Sequence, residues 1–205
     1  MIYRTHIATS SCVAIPLLLV TNEFNIVVFS SVIVGSILPD IDTPKSYISR
    51  HIPIIPVLIN KKFQHRGIFH TPIFAISILI ISIIFKFLNL VGLINTNMPS
   101  LIFLGLSLGY FLHLCGDGLS VTGIRWLMPF KKRAYPISDK KKYIKNFRFL
   151  KYKTNQSKEH IYFIISILLI LLEIYFFKTK FTYLITEFFR HFKHYNFKFN
   201  RKYTI

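Results

Sequence analysis

Apolar residues in this chain are grouped in blocks, with the charged residues gathered between them. Five blocks stand out, at about residues 5–20, 24–38, 72–94, 101–116 and 161–177. Stretches of this kind predict helices embedded in a bilayer, where a spanning helix needs roughly 20 apolar residues and about 17 is near the lower limit. The first two blocks are short by that measure. Only Thr21, Asn22 and Glu23 separate them, which predicts a helical hairpin, either spanning or re-entrant. The third block opens with Pro72, a residue suited to the first helical position, and His70 or Thr71 can cap it. Lys86 interrupts this block, but a long side chain can reach an interface or face the bundle. The fifth block is broken only by Glu173. The pattern predicts an all-α fold, a polytopic transmembrane helical bundle with four to five spans. No internal repeat and no clear second domain interrupts it.

Composition agrees. Apolar residues make up 52% of the 205, and the mean hydropathy is +0.47, a rare combination for a soluble domain of this length. The net charge of +18 would suggest nucleic acid if the chain were soluble. Here the bases lie mostly outside the apolar blocks, where they mark the cytoplasmic side and its anionic lipids. Membrane lipids are therefore expected partners and nucleic acid is not. Cys12 and Cys115 lie inside apolar blocks and form no metal-binding or disulfide pattern. No small-x-small cleavage site follows the first block, so it reads as a retained helix.

The bases also predict orientation. Residues 40–67 carry Lys45, Arg50, Lys61, Lys62 and Arg66, and residues 118–160 carry Lys131, Lys132, Arg133 and a further run at 140–142. The turns at 21–25 and 95–100 carry none. Both long loops and the N-terminus are then expected in the cytoplasm. The tail after Phe177 disagrees, since its seven bases would lie outside if the fifth block crosses. Either that block does not cross simply or the tail is an exception, and residues 181–192 also suit an amphipathic surface helix. The division expected is a membrane-embedded part at 1–130, a basic loop at 131–160, and a final apolar helix with a basic tail at 161–205.

The polar residues at the block ends carry the chemistry. His6 begins the first, Asp40 and Asp42 follow the second, His65 and His70 precede the third, and His113 and Asp117 close the fourth. Threading the helices up and down brings all seven to one face. Three of the chain's four aspartates and four of its eight histidines belong to this set, so composition alone does not produce it. His113 and Asp117 are four apart, one turn apart on one helical face. Asp40 and Asp42 are two apart, and an extended segment would point both the same way. Imidazole and carboxylate together suit a divalent ion: zinc first, with manganese or iron as alternatives. Taken singly, each residue has a plain structural reading as a cap, a turn former or a hydrogen-bonded pair. As a convergent set of ionisable groups at a membrane they point to a site. His51, His160, His191 and His194 have no such company, and Arg125 and Trp126 read as interfacial anchors.

The strings Leu38-Pro39-Asp40-Ile41-Asp42, His65-Arg66-Gly67-Ile68-Phe69-His70 and His113-Leu114-Cys115-Gly116-Asp117, with the early His6, resemble those of the YdjM-like family over about residues 1–130. That family is described as LexA-regulated, membrane-bound, metal-dependent hydrolases of the inner membrane. The resemblance implies that His6, Asp40, His65, His70, His113 and Asp117 hold the metal, with Asp42 beside them. Phe69 and Thr71 stand where the family commonly has Thr and Ser around the third motif's His.

The expectation is then a metal-dependent hydrolase at the cytoplasmic face of the inner membrane. The metal would polarise the bond under attack and acidify a water. Asp42 would accept a proton and Arg66 would hold an anionic group such as a phosphoester or lipid head group. Two other classes compete. A transporter for a metal ion or proton predicts polar groups continuing through the bilayer, but the outer halves of the blocks hold few beyond Lys86 and Glu173. A scaffold with a structural metal predicts a closed coordination shell.

Overall fold

The computed structural model describes residues 1–42, 46, 49, 70–120, 123–124, 126, 152–154, 156–180, 182–183 and 186, with Asp42 described by its backbone alone. Among the described residues, five α-helices carry the fold: α1 Tyr3–Val20, α2 Ile26–Ile37, α3 Pro72–Leu90, α4 Met98–Gly118 and α5 Ser157–Phe176. Among the described residues the only extended pairing is an isolated parallel bridge between Ser120 and Tyr152. Helices α3, α4 and α5 are each long and apolar enough to cross a membrane. The chain is thus a polytopic helical membrane protein. Helix α1 has 18 residues and α2 has 12, so the first hairpin is shorter, as its apolar blocks predict.

Local chemistry sets the helix ends. The Asn25 side chain accepts the Val27 N–H at 2.8 Å and so caps α2. Pro72 opens α3, where its missing N–H leaves no helical bond unmade. Three boundaries depart from the apolar blocks by three or four residues. Helix α3 ends at Leu90, α4 begins at Met98 and α5 begins at Ser157, so that α5 takes in Glu159 below its apolar run. A further difference concerns the two aspartates after α2. Residues Leu38–Asp42 form a 3₁₀ turn rather than an extended segment. The backbone is therefore not the extended one in which positions two apart share a face, and the Asp42 side chain lies outside the described residues.

Helix α4 is the centre of the bundle, packed against α2, α3 and α1. Its contact with α2 is made by glycine. A Cβ at Gly109 would overlap the Val32 carbonyl, and one at Gly105 would overlap the Ser31 hydroxyl. Gly105-Leu106-Ser107-Leu108-Gly109 is the small-xxx-small spacing that lets membrane helices approach closely. Against α3, α4 uses hydrogen bonds and rings. Ser107 donates to the Ala75 carbonyl at 2.8 Å, Ser82 to the Ser100 carbonyl at 2.7 Å, and Phe85 stacks on Phe103.

Helix α5 runs alongside α1 in the same direction. Glu159 meets the Ile2 N–H at one end. Cys12 Sγ lies 3.7 Å from Glu173 Oε1 midway. Lys180 donates to the Leu19 carbonyl at 3.0 Å at the far end. The fifth apolar block therefore covers the same depth as the first. The basic tail starts from the end of the bundle opposite the starts of α1, α3 and α5. Residues 181–192 lie largely outside the described residues.

Candidate metal centre

The helix ends gather five of the predicted residues into one cluster. His6 comes from the first turns of α1, Asp40 from the 3₁₀ turn after α2, His70 from just before α3, and His113 and Asp117 from the last turns of α4. His6, His70, His113 and Asp117 are buried, while the Asp40 side chain keeps 20% of its surface exposed. His65 and Arg66 lie outside the described residues, as does the Asp42 side chain.

The spacings are compatible with ligands around an ion. His6 Nε2 lies 3.4 Å from Asp117 Oδ1. His70 Nε2 lies 3.7 Å from Asp40 Oδ1 and 3.8 Å from Asp117 Oδ2. His113 Nε2 lies 3.8 Å from Asp40 Oδ1 and 4.0 Å from Asp117 Oδ2. These gaps are longer than hydrogen bonds. Donors placed about 2.0–2.2 Å from a shared ion in a tetrahedron sit about 3.4 Å apart, so a small inward movement suffices to close on one.

Both ring nitrogens of His6 and Nε2 of His113 are buried without a hydrogen-bond partner. The contact from His6 to Asp117 is close in distance but lacks hydrogen-bond alignment. Leaving a buried polar group unmet is unfavourable by about 1–3 kcal/mol each. Two of these atoms, His6 Nε2 at 3.4 Å from Asp117 Oδ1 and His113 Nε2 at 3.8 Å from Asp40 Oδ1, lie beside carboxylates in an arrangement compatible with a cation.

His113 shows how the sequence sets the ligand. Its Nδ1 lies 2.7 Å from the Ser36 carbonyl, which can only accept, so Nδ1 carries the proton and Nε2 presents its lone pair to the cluster. The Ser36 carbonyl is free to accept because of Pro39. A 3₁₀ bond would pair it with the N–H three residues on, and Pro39 has none. Two triads can be drawn, His6–Asp40–His113 and His70–His113–Asp117. Both use His113, which has one nitrogen to give, so they belong to a single cluster.

The rings pack tightly. His6 stacks on His113 with centroids 3.7 Å apart, and His70 meets His113 edge-on at 5.5 Å. Gly116 lies beside the His6 ring, where a Cβ would be in ordinary contact at 3.5 Å from Nδ1 and tight only against Met1 Sδ at 3.2 Å. The Met1 amino group lies 2.8 Å from Asp117 Oδ1. Burial acts to raise the Asp40 carboxyl pKa, but contact with His70 and the nearby His113 and His6 outweigh it, and the pKa falls below its ordinary value. Asp40 is held as a carboxylate, the form that binds a cation.

Sequence reasoning missed three neighbours. Ser36 acts through its backbone, which no side-chain motif reveals. Tyr152, buried, donates to the Gly116 carbonyl at 3.0 Å. Glu159, also buried, accepts the Ile2 N–H. The signal for Glu159 was a lone acid at the start of an apolar run.

Fold and cluster together define a multi-pass helical membrane protein with a buried His/Asp group, compatible with a metal ion, at one end of its helices. The YdjM inner membrane protein family matches residues 1–181, and the chain belongs to that family. The match makes the chain a multi-pass inner-membrane protein, and it extends the resemblance from about residue 130 through α5. The inner membrane protein YdjM of Escherichia coli (strain K12) and that of Shigella flexneri are each 31% identical over 103 residues, 50% of this chain and 50% of theirs. The uncharacterized protein YvsG of Bacillus subtilis (strain 168) is 30% identical over 96 residues, 47% of this chain and 53% of its own. The chain thus spans about half the length of the curated relatives it matches. No solved structure matches it.

Proposed function

We propose that this chain is a membrane-bound metal-dependent hydrolase whose site lies at the cytoplasmic face. The observation that carries the reading is the pair of unmet imidazole nitrogens, His6 Nε2 and His113 Nε2, beside Asp117 and Asp40. His6, Asp40, His70, His113 and Asp117 hold the ion, with His65 as a further candidate. Zinc is the first choice, and a five-donor set also suits manganese or iron. When bound, the ion supplies Lewis acidity to a substrate oxygen at neutral pH.

The chain's own residues do the rest. The Ser36 carbonyl fixes the His113 ring, and the buried helix ends exclude bulk water. Asp40, partly exposed, marks the side from which substrate enters. Asp42 takes the proton and Arg66 holds an anionic group. A site at head-group depth beside basic loops favours a phosphoester or lipid head group as substrate.

The test is elemental analysis of detergent-purified protein beside a His113→Ala/Asp117→Ala variant, followed by assay on phosphoester and lipid-ester substrates. Near-stoichiometric zinc, manganese or iron that the folded variant loses, with turnover by the wild type, supports the reading. Folded wild type that neither retains nor takes up metal overturns it. Metal bound without turnover of either substrate class turns the site into a structural one.

A further inference from the structure

Helix α5 touches the rest of the bundle chiefly along α1, and most of its surface is open to lipid. Only Glu159 and Ser166 among its residues are buried. Glu159 has no exposed surface. Burying a carboxylate at the start of an otherwise apolar helix is unfavourable unless it is bonded, and its position shows what the bond does. Glu159 accepts the Ile2 N–H, one residue before α1 begins. That N–H is among the first of a helix, which have no partner within it. Four residues on is His6, and Met1 next to the bond reaches Asp117 with its amino group. The same approach to α5 brings Tyr152, whose hydroxyl donates to the carbonyl of Gly116, a residue that lies beside the His6 ring.

We propose that Glu159 is a positioning residue for the metal centre: by accepting the Ile2 N–H it fixes the start of α1, so that His6 stacks on His113 and faces Asp117. Glu159 does not itself join the donor cluster. The proposal rests on the metal-site reading for its purpose, though not for its geometry. A helix start is the part of a helix that frays most readily, and His6 sits in the first turns of α1. Without an anchor, α1 can shift by part of a turn, and His6 is then lost from the cluster while His70, His113 and Asp117 stay. Ordinary anchoring of α5 would not concentrate its effect there, because α5 is also fastened at the far end, where Lys180 bonds the Leu19 carbonyl and Asn22 Oδ1.

The experiment reads His6 directly and without metal. Full-length protein in detergent is stripped with chelator and treated with diethyl pyrocarbonate, and modification of His6 is followed by peptide mass spectrometry. Wild type, Glu159→Ala, Glu159→Gln and Lys180→Ala are compared after circular dichroism and gel filtration establish that each is folded. The expected result is a several-fold rise in His6 modification in Glu159→Ala, a return towards wild type in Glu159→Gln, whose amide oxygen still accepts the N–H, and no rise in Lys180→Ala. Metal content should follow the same order. Equal protection of His6 in wild type and Glu159→Ala overturns the proposal. So does equal exposure in Lys180→Ala, which would make the effect general to α5, or failure of Glu159→Gln to protect. Should wild type bind no metal, the metal reading falls, while the His6 labelling still decides the role of Glu159.

Discussion

At the residue scale the site depends on a few atoms with nothing to bond. An imidazole normally satisfies both nitrogens when buried, yet His6 satisfies neither and His113 only one. The donor types were legible in the sequence, because His and Asp at apolar block ends are hard to place for structural reasons alone. The tautomer was not, because it depends on a backbone carbonyl freed by Pro39. The extended backbone expected at Asp40 and Asp42 is a 3₁₀ turn instead, since the chain goes on coiling for five residues after α2. Gly116 gives a prediction at this scale. A methyl there would sit in ordinary contact with the His6 ring, 3.5 Å from Nδ1 and 3.6 Å from Cε1, and would press only on the flexible end of Met1, at 3.2 Å from Sδ. Gly116→Ala should therefore leave the helices folded and metal affinity close to wild type, whereas His6→Ala should weaken affinity by about tenfold, or about 1.4 kcal/mol. Metal titration of the two folded variants checks this, and unchanged affinity in His6→Ala would mean that His6 is not a ligand.

At the element scale the cluster is only as well placed as α2 is against α4. Helix α2 delivers Asp40 and the Ser36 carbonyl, and α4 delivers His113 and Asp117. The two helices approach through Gly35, Gly105 and Gly109, where any side chain would collide with the partner's backbone or hydroxyl. The blocks of apolar residues made the helices legible, and the small-residue spacing in α4 was there to be read as a packing face. What the sequence could not show is which helix that face meets, since several neighbours are compatible with one spacing. Interhelical serine bonds contribute little, about 0.6 kcal/mol each on average in membranes, so close approach matters more than they do. Gly109→Ala should therefore destabilise the bundle by about 1–3 kcal/mol, the usual range for overpacking. Ser82→Ala should cost well under that. Unfolding followed in mixed detergent separates the two, and a Gly109→Ala variant as stable as wild type would disprove the α2–α4 contact. Metal affinity should fall with Gly109→Ala and hold with Ser82→Ala, because only the first change moves Asp40.

At the scale of the whole molecule the open question in the sequence was the last helix. Positive charge after Phe177 argues for keeping the tail inside, whereas up-and-down threading puts it outside. The structure favours threading on three contacts at successive depths, from Ile2–Glu159 through Cys12–Glu173 to Leu19–Lys180. A helix parallel to α1 over that length crosses wherever α1 does. Lys180 also shows why one of the bases is on that side: it bonds a carbonyl at the C-terminal end of α1, where backbone acceptors and the helix dipole favour a cation. The rule of positive loops counts such a lysine as a topology signal although it is occupied in packing. Single cysteines placed at Glu23, Thr96 and Tyr183, in a background with Cys12 and Cys115 replaced by serine, should react with a membrane-impermeant maleimide added outside intact cells stripped of their outer layer. A cysteine at Lys153 should react only after permeabilisation. If Tyr183→Cys behaves like Lys153→Cys, α5 does not traverse the membrane beside α1, and the anchoring of α1 by α5 falls with it. If all four follow the expected pattern, the metal cluster lies on the cytoplasmic side, where the basic loops draw anionic head groups towards Asp40 and the open edge of the site.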